Sequence, residues 1–303
     1  MIYTVTLNPS LDYVINLDEL AEGKTNRSKS ESFYVGGKGI NVSKILFQLG
    51  VDSTALGFAG GFTGEKIISE LKKEGIRSEF IILQNGTSRI NVKIKAQKET
   101  EINAGGPFVS GEEMEKLIEK TSKLCDGDTI IISGSIPKSL PVDMYERILA
   151  PLAEKNIRIV VDAEKELLLQ TLKYKPFLIK PNRQELSELF LPEHDDRLDI
   201  NQSALKLQEY GARNVLVSLG EDGAVLYSED GNVYKSGVLK EEVKSTVGAG
   251  DSMIAGFIAG YDETNSHEQA LRLGTACGNA TSFSDGLASK EKIYDILEKL
   301  PKI

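Results

Sequence analysis

The chain of 303 residues reads as an α/β protein, a mostly parallel sheet with helices on both faces plus a small β-sheet lid. Three observations predict this. Thr129–Ser133 and Asn214–Leu219 are near-continuous apolar runs, as strands covered on both faces must be. After Gly105-Gly106-Pro107 such strands alternate with segments of helical period. Two separated stretches, 11–36 and 86–105, instead alternate polar and apolar residues, the pattern of strands with one wet face. They are expected to pair into one lid entered twice by the chain, leaving 1–10, 37–85 and 106–303 as the main domain.

In order, Ile2–Leu7 is a buried first strand ended by Asn8-Pro9-Ser10. Asp12, Val14, Asn16 and Asp18 then alternate with Tyr13, Ile15 and Leu17, and Phe33–Val35 is a second short lid strand. A helix follows to about Leu49, carried by Val42, Ile45, Leu46 and Leu49 and closed by Gly50. Thr54–Phe58 is a strand and Gly64–Lys73 a helix. In the second lid stretch Arg89, Asn91, Lys93 and Lys95 face one way and Ile90, Val92 and Ile94 the other, with Glu99–Asn103 as hairpin partner. Ser110 with Glu113 forms a capping box for a helix over 112–124. Helices are expected over 142–154, 164–172, 185–189, 200–210, 251–260, 268–285 and 290–300, and strands over 158–162, 177–180, 214–218 and 224–227.

A net charge of −9 and a pI near 5.1 argue against a nucleic-acid or anionic-membrane partner, while leaving room for a local basic pocket. The N-terminus runs straight into strand-like sequence, and no run of 18 apolar residues exists, so a cytoplasmic protein is expected. The two cysteines, Cys125 and Cys277, are expected to be buried free thiols. His194 lies in an acidic loop and His267 at a helix start, which makes a Ser-His-Asp triad or a His-rich zinc site a poor fit.

In such a fold, ligands bind beyond the carboxyl ends of the strands. Ser133-Gly134-Ser135, Asp162, Lys180-Pro181-Asn182 with Glu185, and Ser218-Leu219-Gly220 through Gly223 all sit at strand ends. Gly36-Gly37-Lys38-Gly39-Ile40-Asn41 opens a helix and carries a lysine, so it reads either as a phosphate cradle or as a plain strand-to-helix turn. It matches neither a Walker A loop nor a dinucleotide fingerprint. Gly248-Ala249-Gly250 can turn its N–H groups toward developing phosphate charge at a helix N-terminus. Asp251 follows at once, and is either a base that takes a proton from an attacking hydroxyl or an N-cap of the helix. Arg89 is either solvated or a cationic contact for an anionic sugar, and Glu185 is either a metal-orienting acid or an ordinary first-turn carboxylate.

The paired motifs, Gly36–Asn41 and Gly248–Ser252, resemble the two signatures of the PfkB/ribokinase family of carbohydrate kinases. Asn8–Asp12, Ser133–Pro137, Lys180–Asn182 with Glu185, and Ser218–Gly220 match in the same order, so the resemblance spans nearly the whole chain. Ile136-Pro137-Lys138-Ser139 departs mildly from it. The resemblance implies a ribokinase-like fold and an ATP-dependent sugar-phosphate kinase with Mg2+, and it admits a monovalent cation. Within the family, Thr87–Lys93 and Ser245–Ser252 look most like members that phosphorylate the 6-hydroxyl of fructose 1-phosphate. Members acting on tagatose 6-phosphate come next, and a non-catalytic sugar-phosphate or nucleotide-binding regulator is the reading from another class. The resemblance implies that Asp12, Gly37, Asn41 and Arg89 bind the sugar phosphate, with Lys24, Arg27, Lys38, Ser135 and Lys138 as further contacts. It makes Asp251 the base and Gly248, Ala249 and Gly250 the anion hole. Lys180, Asn182, Ser218, Gly220, Gly223, Gly250 and Asn279 would hold the nucleotide, and Glu185 would place magnesium through water. The apolar lid face, with Tyr13, Ile15, Ile90, Val92 and Ile94, needs cover, so a homodimer through the lid is expected.

Overall fold

The structure, a computed structural model, describes residues 1–190 and 198–303; His194 therefore lies outside the described residues. The chain begins in the middle of the larger sheet with β1 (Ile2–Thr6) and leaves at once for the smaller one, through β2 (Ser10–Asn16) and β3 (Ser30–Gly36). It returns through α1 (Lys38–Gln48), β4 (Ser53–Gly60), α2 (Gly61–Lys73), β5 (Arg77–Ser78) and β6 (Ile81–Leu83). A second excursion makes β7 (Arg89–Lys95) and β8 (Glu99–Ile102). From there the chain alternates: α3 (Gly111–Ser122), β9 (Thr129–Ser133), α4 (Met144–Leu149), β10 (Arg158–Asp162), α5 (Lys165–Thr171), β11 (Leu178–Ile179). It continues through α6 (Arg183–Phe190), α7 (Ile200–Glu209), β12 (Asn214–Ser218), β13 (Ala224–Tyr227) and β14 (Val233–Ser236). Three helices close the chain: α8 (Ala249–Thr264), α9 (His267–Ser282) and α10 (Lys290–Lys299).

The large sheet has the order β14-β13-β12-β11-β10-β9-β1-β4-β5, with β6 also on β4. All its pairs are parallel except β12–β13 and β13–β14. Alternate residues of its central strands serve opposite faces, which is why those strands read as unbroken apolar runs. Ile130, Ile132, Val161, Val215 and Val217 enter one core, with Leu117, Ile148, Leu168 and Leu207 from α3, α4, α5 and α7. Ile131, Val160, Leu178 and Leu216 enter the other, with Ile45, Phe257, Ala276 and Ile296 from α1, α8, α9 and α10.

The separate small sheet has the order β3-β2-β7-β8. Its two excursions meet in a parallel β2–β7 pair that sets Asp12 opposite Asn91. Its outer face carries the stacked rings of Tyr13 and Phe33, 4.5 Å apart, and leaves Phe33, Ile90 and Ile102 exposed. Three of the four crossings between the sheets are stitched by polar groups. Arg89 Nε donates to the Asn8 carbonyl (3.0 Å) and Asn8 Nδ2 to the Gly105 carbonyl (3.3 Å), while Asn91 Oδ1 accepts from the Ala104 N–H (3.2 Å).

Several expectations need correcting. The helix expected over 142–154 is α4 alone followed by one 3-10 turn, because Pro151 carries no N–H to continue the ladder. The short strands β5, β6 and β14 have no clear period in the sequence, and only the structure reveals them. Cys277 is buried as expected, but Cys125 is exposed, in the turn after α3. Of the helix-start readings, the Ser110–Glu113 capping box is present on both sides.

Candidate active site

The order of strands reverses at β1, with β4 on one side and β9 on the other, and a cavity of about 1260 Å³ opens there. It runs between the small sheet and the carboxyl ends of the parallel strands. Asp12, Gly37, Lys38, Asn41 and Arg89 line one part of it. Lys180, Asn182, Glu185, Ser218, Gly220, Gly223 and Asn279 line the other, and the turn from Gly248 to Asp251 lies on the same wall. Lys24, Arg27, Ser135 and Lys138 do not line it. Lys24 and Arg27 are exposed in the connection between β2 and β3, and Ser135 and Lys138 are exposed after β9. Polar residues in loops can satisfy any of several roles, so type and position alone do not say which way these four point.

The turn before α8 needs glycine at one point. Gly248 is the N-cap with φ +79°, a left-handed backbone that most side chains resist. No side chain caps this helix. Asp251 is therefore not an N-cap, which corrects one of its two readings. It sits in the first turn, 5% exposed, and its Oδ2 accepts a 2.8 Å hydrogen bond from Asn41 Nδ2 on α1. Burial pushes its carboxyl up to about 6; Asp162 adds to the rise, while Asn41, Lys38 and Lys180 hold it back. A carboxylate so placed is a proton acceptor near neutral pH, beside N–H groups that can receive an anion.

Asp162, at the end of β10, is 2% exposed, and its sequence position marks it only as a strand-end residue. Lys38 Nζ reaches its Oδ2 at 3.1 Å and Lys180 Nζ its Oδ1 at 3.5 Å. Burial pushes the Asp162 carboxyl up, but Lys180 and then Lys38 outweigh it and keep it below the ordinary range. Burial likewise pulls the Lys38 ammonium down, and Asp162 and Asp251 more than reverse this. The sequence signal for Asp162 is an acid closing an otherwise apolar buried strand, Ile159-Val160-Val161, where only a paired charge is tolerated.

On the small sheet, Asp12 is held by three donors. Ser10 Oγ gives it 2.6 Å, Asn91 Nδ2 3.0 Å, and Lys93 Nζ approaches at 3.3 Å. Asn91 and Lys93 thus belong to the site as well; the alternation along β7 puts them on the right face without singling them out.

Glu185 does what a first-turn acid does and keeps an oxygen besides. Its Oε2 accepts from the Asn182 N–H (2.8 Å) while Asn182 Oδ1 accepts from the Glu185 N–H (2.8 Å), a reciprocal cap of α6. Burial holds its carboxyl above the ordinary range, with Lys180 opposing. No group of three or more His, Cys, Asp or Glu that could hold a metal exists among the described residues. A single carboxylate with a free oxygen fits a magnesium ion that brings its own water and phosphate ligands, rather than an all-protein cage. Asn279 Nδ2 donates to the Thr275 carbonyl (2.9 Å), leaving its Oδ1 for a ligand.

The family model described as pfkB family carbohydrate kinase matches residues 5–292. A Bacillus subtilis protein named 1-phosphofructokinase is 44% identical over 300 residues, covering 99% of this chain and 98% of the relative. A Bacillus licheniformis protein named D-tagatose-1-phosphate kinase is 39% identical over 294 residues, covering 97% and 96%. Among solved structures, Escherichia coli phosphofructokinase-2 in complex with substrates and products superposes with a TM-score of 0.92 at 30% identity, covering 99% of each chain. Among the described residues, no helix is long and apolar enough to cross a membrane.

Proposed function

Since the chain belongs to the pfkB family of carbohydrate kinases, we propose that it transfers the γ-phosphoryl group of ATP to the 6-hydroxyl of fructose 1-phosphate. The products are fructose 1,6-bisphosphate and ADP. One observation carries the chemistry: a buried carboxylate, Asp251, lies beside a helix N-terminus that no side chain caps. Asp251 takes the proton of the attacking hydroxyl, the new O–P bond forms at the γ-phosphorus, and the bond to the β-phosphate oxygen breaks. The Gly248–Gly250 N–H groups and the Lys38 and Lys180 ammonium groups receive the charge on the transferred group. Asp12, Gly37, Asn41 and Arg89 hold the sugar phosphate, and Lys180, Asn182, Ser218, Gly220, Gly223, Gly250 and Asn279 the nucleotide. Glu185 would hold Mg2+ through water, and the ion would neutralise phosphate charge. A monovalent cation is compatible with the family.

The substrate reading rests on the relatives' names. The rival expected from sequence carries its phosphate on C6, whereas the Bacillus licheniformis relative is named for tagatose 1-phosphate. The 1-phosphates of fructose and tagatose offer the same 6-hydroxyl and differ in the configuration of one hydroxyl, at C4. Tagatose 1-phosphate is therefore the second reading, and Asp12 with its three donors is the group placed to judge a hydroxyl's direction. A non-catalytic regulator is disfavoured because it has no use for a buried carboxylate poised near neutral pH.

The small sheet acts as a lid that excludes water during transfer, and its exposed outer face is covered by the lid of a second copy in a homodimer. The reaction's need for ATP favours the cytoplasm. The deciding assay is ADP release over fructose 1-phosphate, tagatose 1-phosphate, tagatose 6-phosphate and fructose 6-phosphate. The highest kcat/KM on fructose 1-phosphate is expected; a higher value on any other sugar overturns the substrate reading. A fully active monomer in light scattering would overturn the dimer.

A further inference from the structure

Two lysines from different parts of the site converge on one buried carboxylate. Lys38 comes from α1 beside the sugar-binding candidates, and Lys180 follows β11 among the nucleotide-binding candidates; both pair with Asp162, at 3.1 and 3.5 Å. Lys180 also overlies the glycine turn, since a side-chain carbon at Gly250 would come 3.0 Å from its Nζ. Both ammonium groups are thus close enough to act on Asp251, yet neither ion-pairs with it; the side-chain hydrogen bond Asp251 accepts is the one from uncharged Asn41.

We propose that Asp162 is a positioning residue that keeps Lys38 and Lys180 off Asp251, so that the base stays unpaired while both ammonium groups stand ready for the transferred phosphoryl group. This rests on the reading of Asp251 as the base. The physical argument is competition for two cations within one dry site. Unpaired ammonium groups in low dielectric seek the nearest carboxylate. With Asp162 present, that carboxylate is Asp162. Without it, the carboxylates left beside them are Asp251 and Glu185, and an ammonium paired to Asp251 weakens it as a proton acceptor.

Among the described residues, Asp162 is the carboxylate with which both lysines ion-pair. Asp162 comes from β10, Lys38 and Asn41 from α1, and Lys180 from the end of β11. Glu185 on α6 acts on Lys38 and Lys180, with one of its two oxygens bound to the Asn182 N–H. From α9 the near group is Thr281, which bonds Ser252 and is uncharged. The direction of the Asp251 shift, with Asp162 raising it and both lysines lowering it, agrees with this arrangement.

The test is the acid limb of kcat against pH at saturating substrates. Titrations of the substrates' own phosphates are common to all variants and cancel in the comparison. Asp162→Asn is expected to move the limb down by about one pH unit or more and to lower the plateau roughly tenfold or more, and Lys38→Met added to it is expected to move the limb back up by more than Lys38→Met does in the wild type, a difference that loss of the Asp162 charge alone does not give. A folded Asp162→Asn enzyme with an unmoved limb overturns the proposal, whatever its plateau. Lys38→Met gives a check that does not depend on how that variant folds. A lysine held off the base should let the limb rise by less than about one unit when removed, whereas a larger rise would mean that Lys38 pairs with Asp251 directly. Asp251→Asn run in parallel separates the two levels. If it keeps its activity, the base assignment itself fails; if it is inactive and the Asp162→Asn limb stays put, only the role of Asp162 fails.

Discussion

Asn41 and Asp251, 210 positions apart in sequence, are joined by a 2.8 Å hydrogen bond in which the Asn41 amide donates to the carboxylate. The bond fixes one oxygen of the proposed base and ties the first turn of α1 to the first turn of α8. Asn41→Ala removes a donor that favours the ionised form, so the Asp251 pKa rises and the acid limb of kcat moves up. The expected loss at pH 7 is about twofold for a rise of about one unit, and the loss should shrink at pH 8.5, which a pH–rate profile reads directly.

Asp251→Asn should cost kcat about 10²-fold or more, measured by ADP release. It should also stabilise the protein at neutral pH. The folded carboxyl titrates near 6, above its unfolded value, so ionised Asp251 opposes folding. The advantage of the variant is absent below about pH 4, grows as pH rises through 6, and levels off at roughly 1–3 kcal/mol. Thermal melts of both proteins at pH 4 and pH 8 check the sign; a variant less stable than wild type at pH 8 contradicts it.

Gly250→Ala puts a methyl group 3.0 Å from Lys180 Nζ and displaces that ammonium from the turn. The backbone can accept alanine here, so the fold should hold. A fall in kcat of about tenfold or more with KM for the sugar changed by less than about threefold is expected, since the displaced ammonium acts on the transition state rather than on the bound sugar.

Arg89→Lys keeps the positive charge but loses the Nε bond that crosses from β7 to the Asn8 carbonyl. KM for the sugar phosphate should rise about tenfold, and ATP hydrolysis without sugar should rise as the lid closes less well. An unchanged KM would show that Arg89 serves only the crossing between the sheets.

Glu185→Gln leaves an acceptor for the Asn182 N–H and removes the charge. The cap of α6 should survive, and the Mg2+ concentration for half-maximal rate should rise about tenfold. Titrating Mg2+ at fixed ATP measures it.

The class of fold and most of the cavity wall are legible in the residues alone. Unbroken apolar strands such as Thr129–Ser133 admit no arrangement but a sheet covered on both faces, and the alternation along Arg89–Lys95 assigns each side chain to a face. The two glycine motifs mark the turns before α1 and α8 because few other residues can make them. Which charges meet is a matter of tertiary structure. That Asp251 bonds Asn41 instead of capping its helix, that Asp162 gathers Lys38 and Lys180, and that Lys24, Arg27, Ser135 and Lys138 stay outside the cavity wall follow from distances across the fold. Local sequence sets backbone conformation and burial, whereas the Coulomb and desolvation energies that tune a base depend on neighbours supplied by other strands and helices.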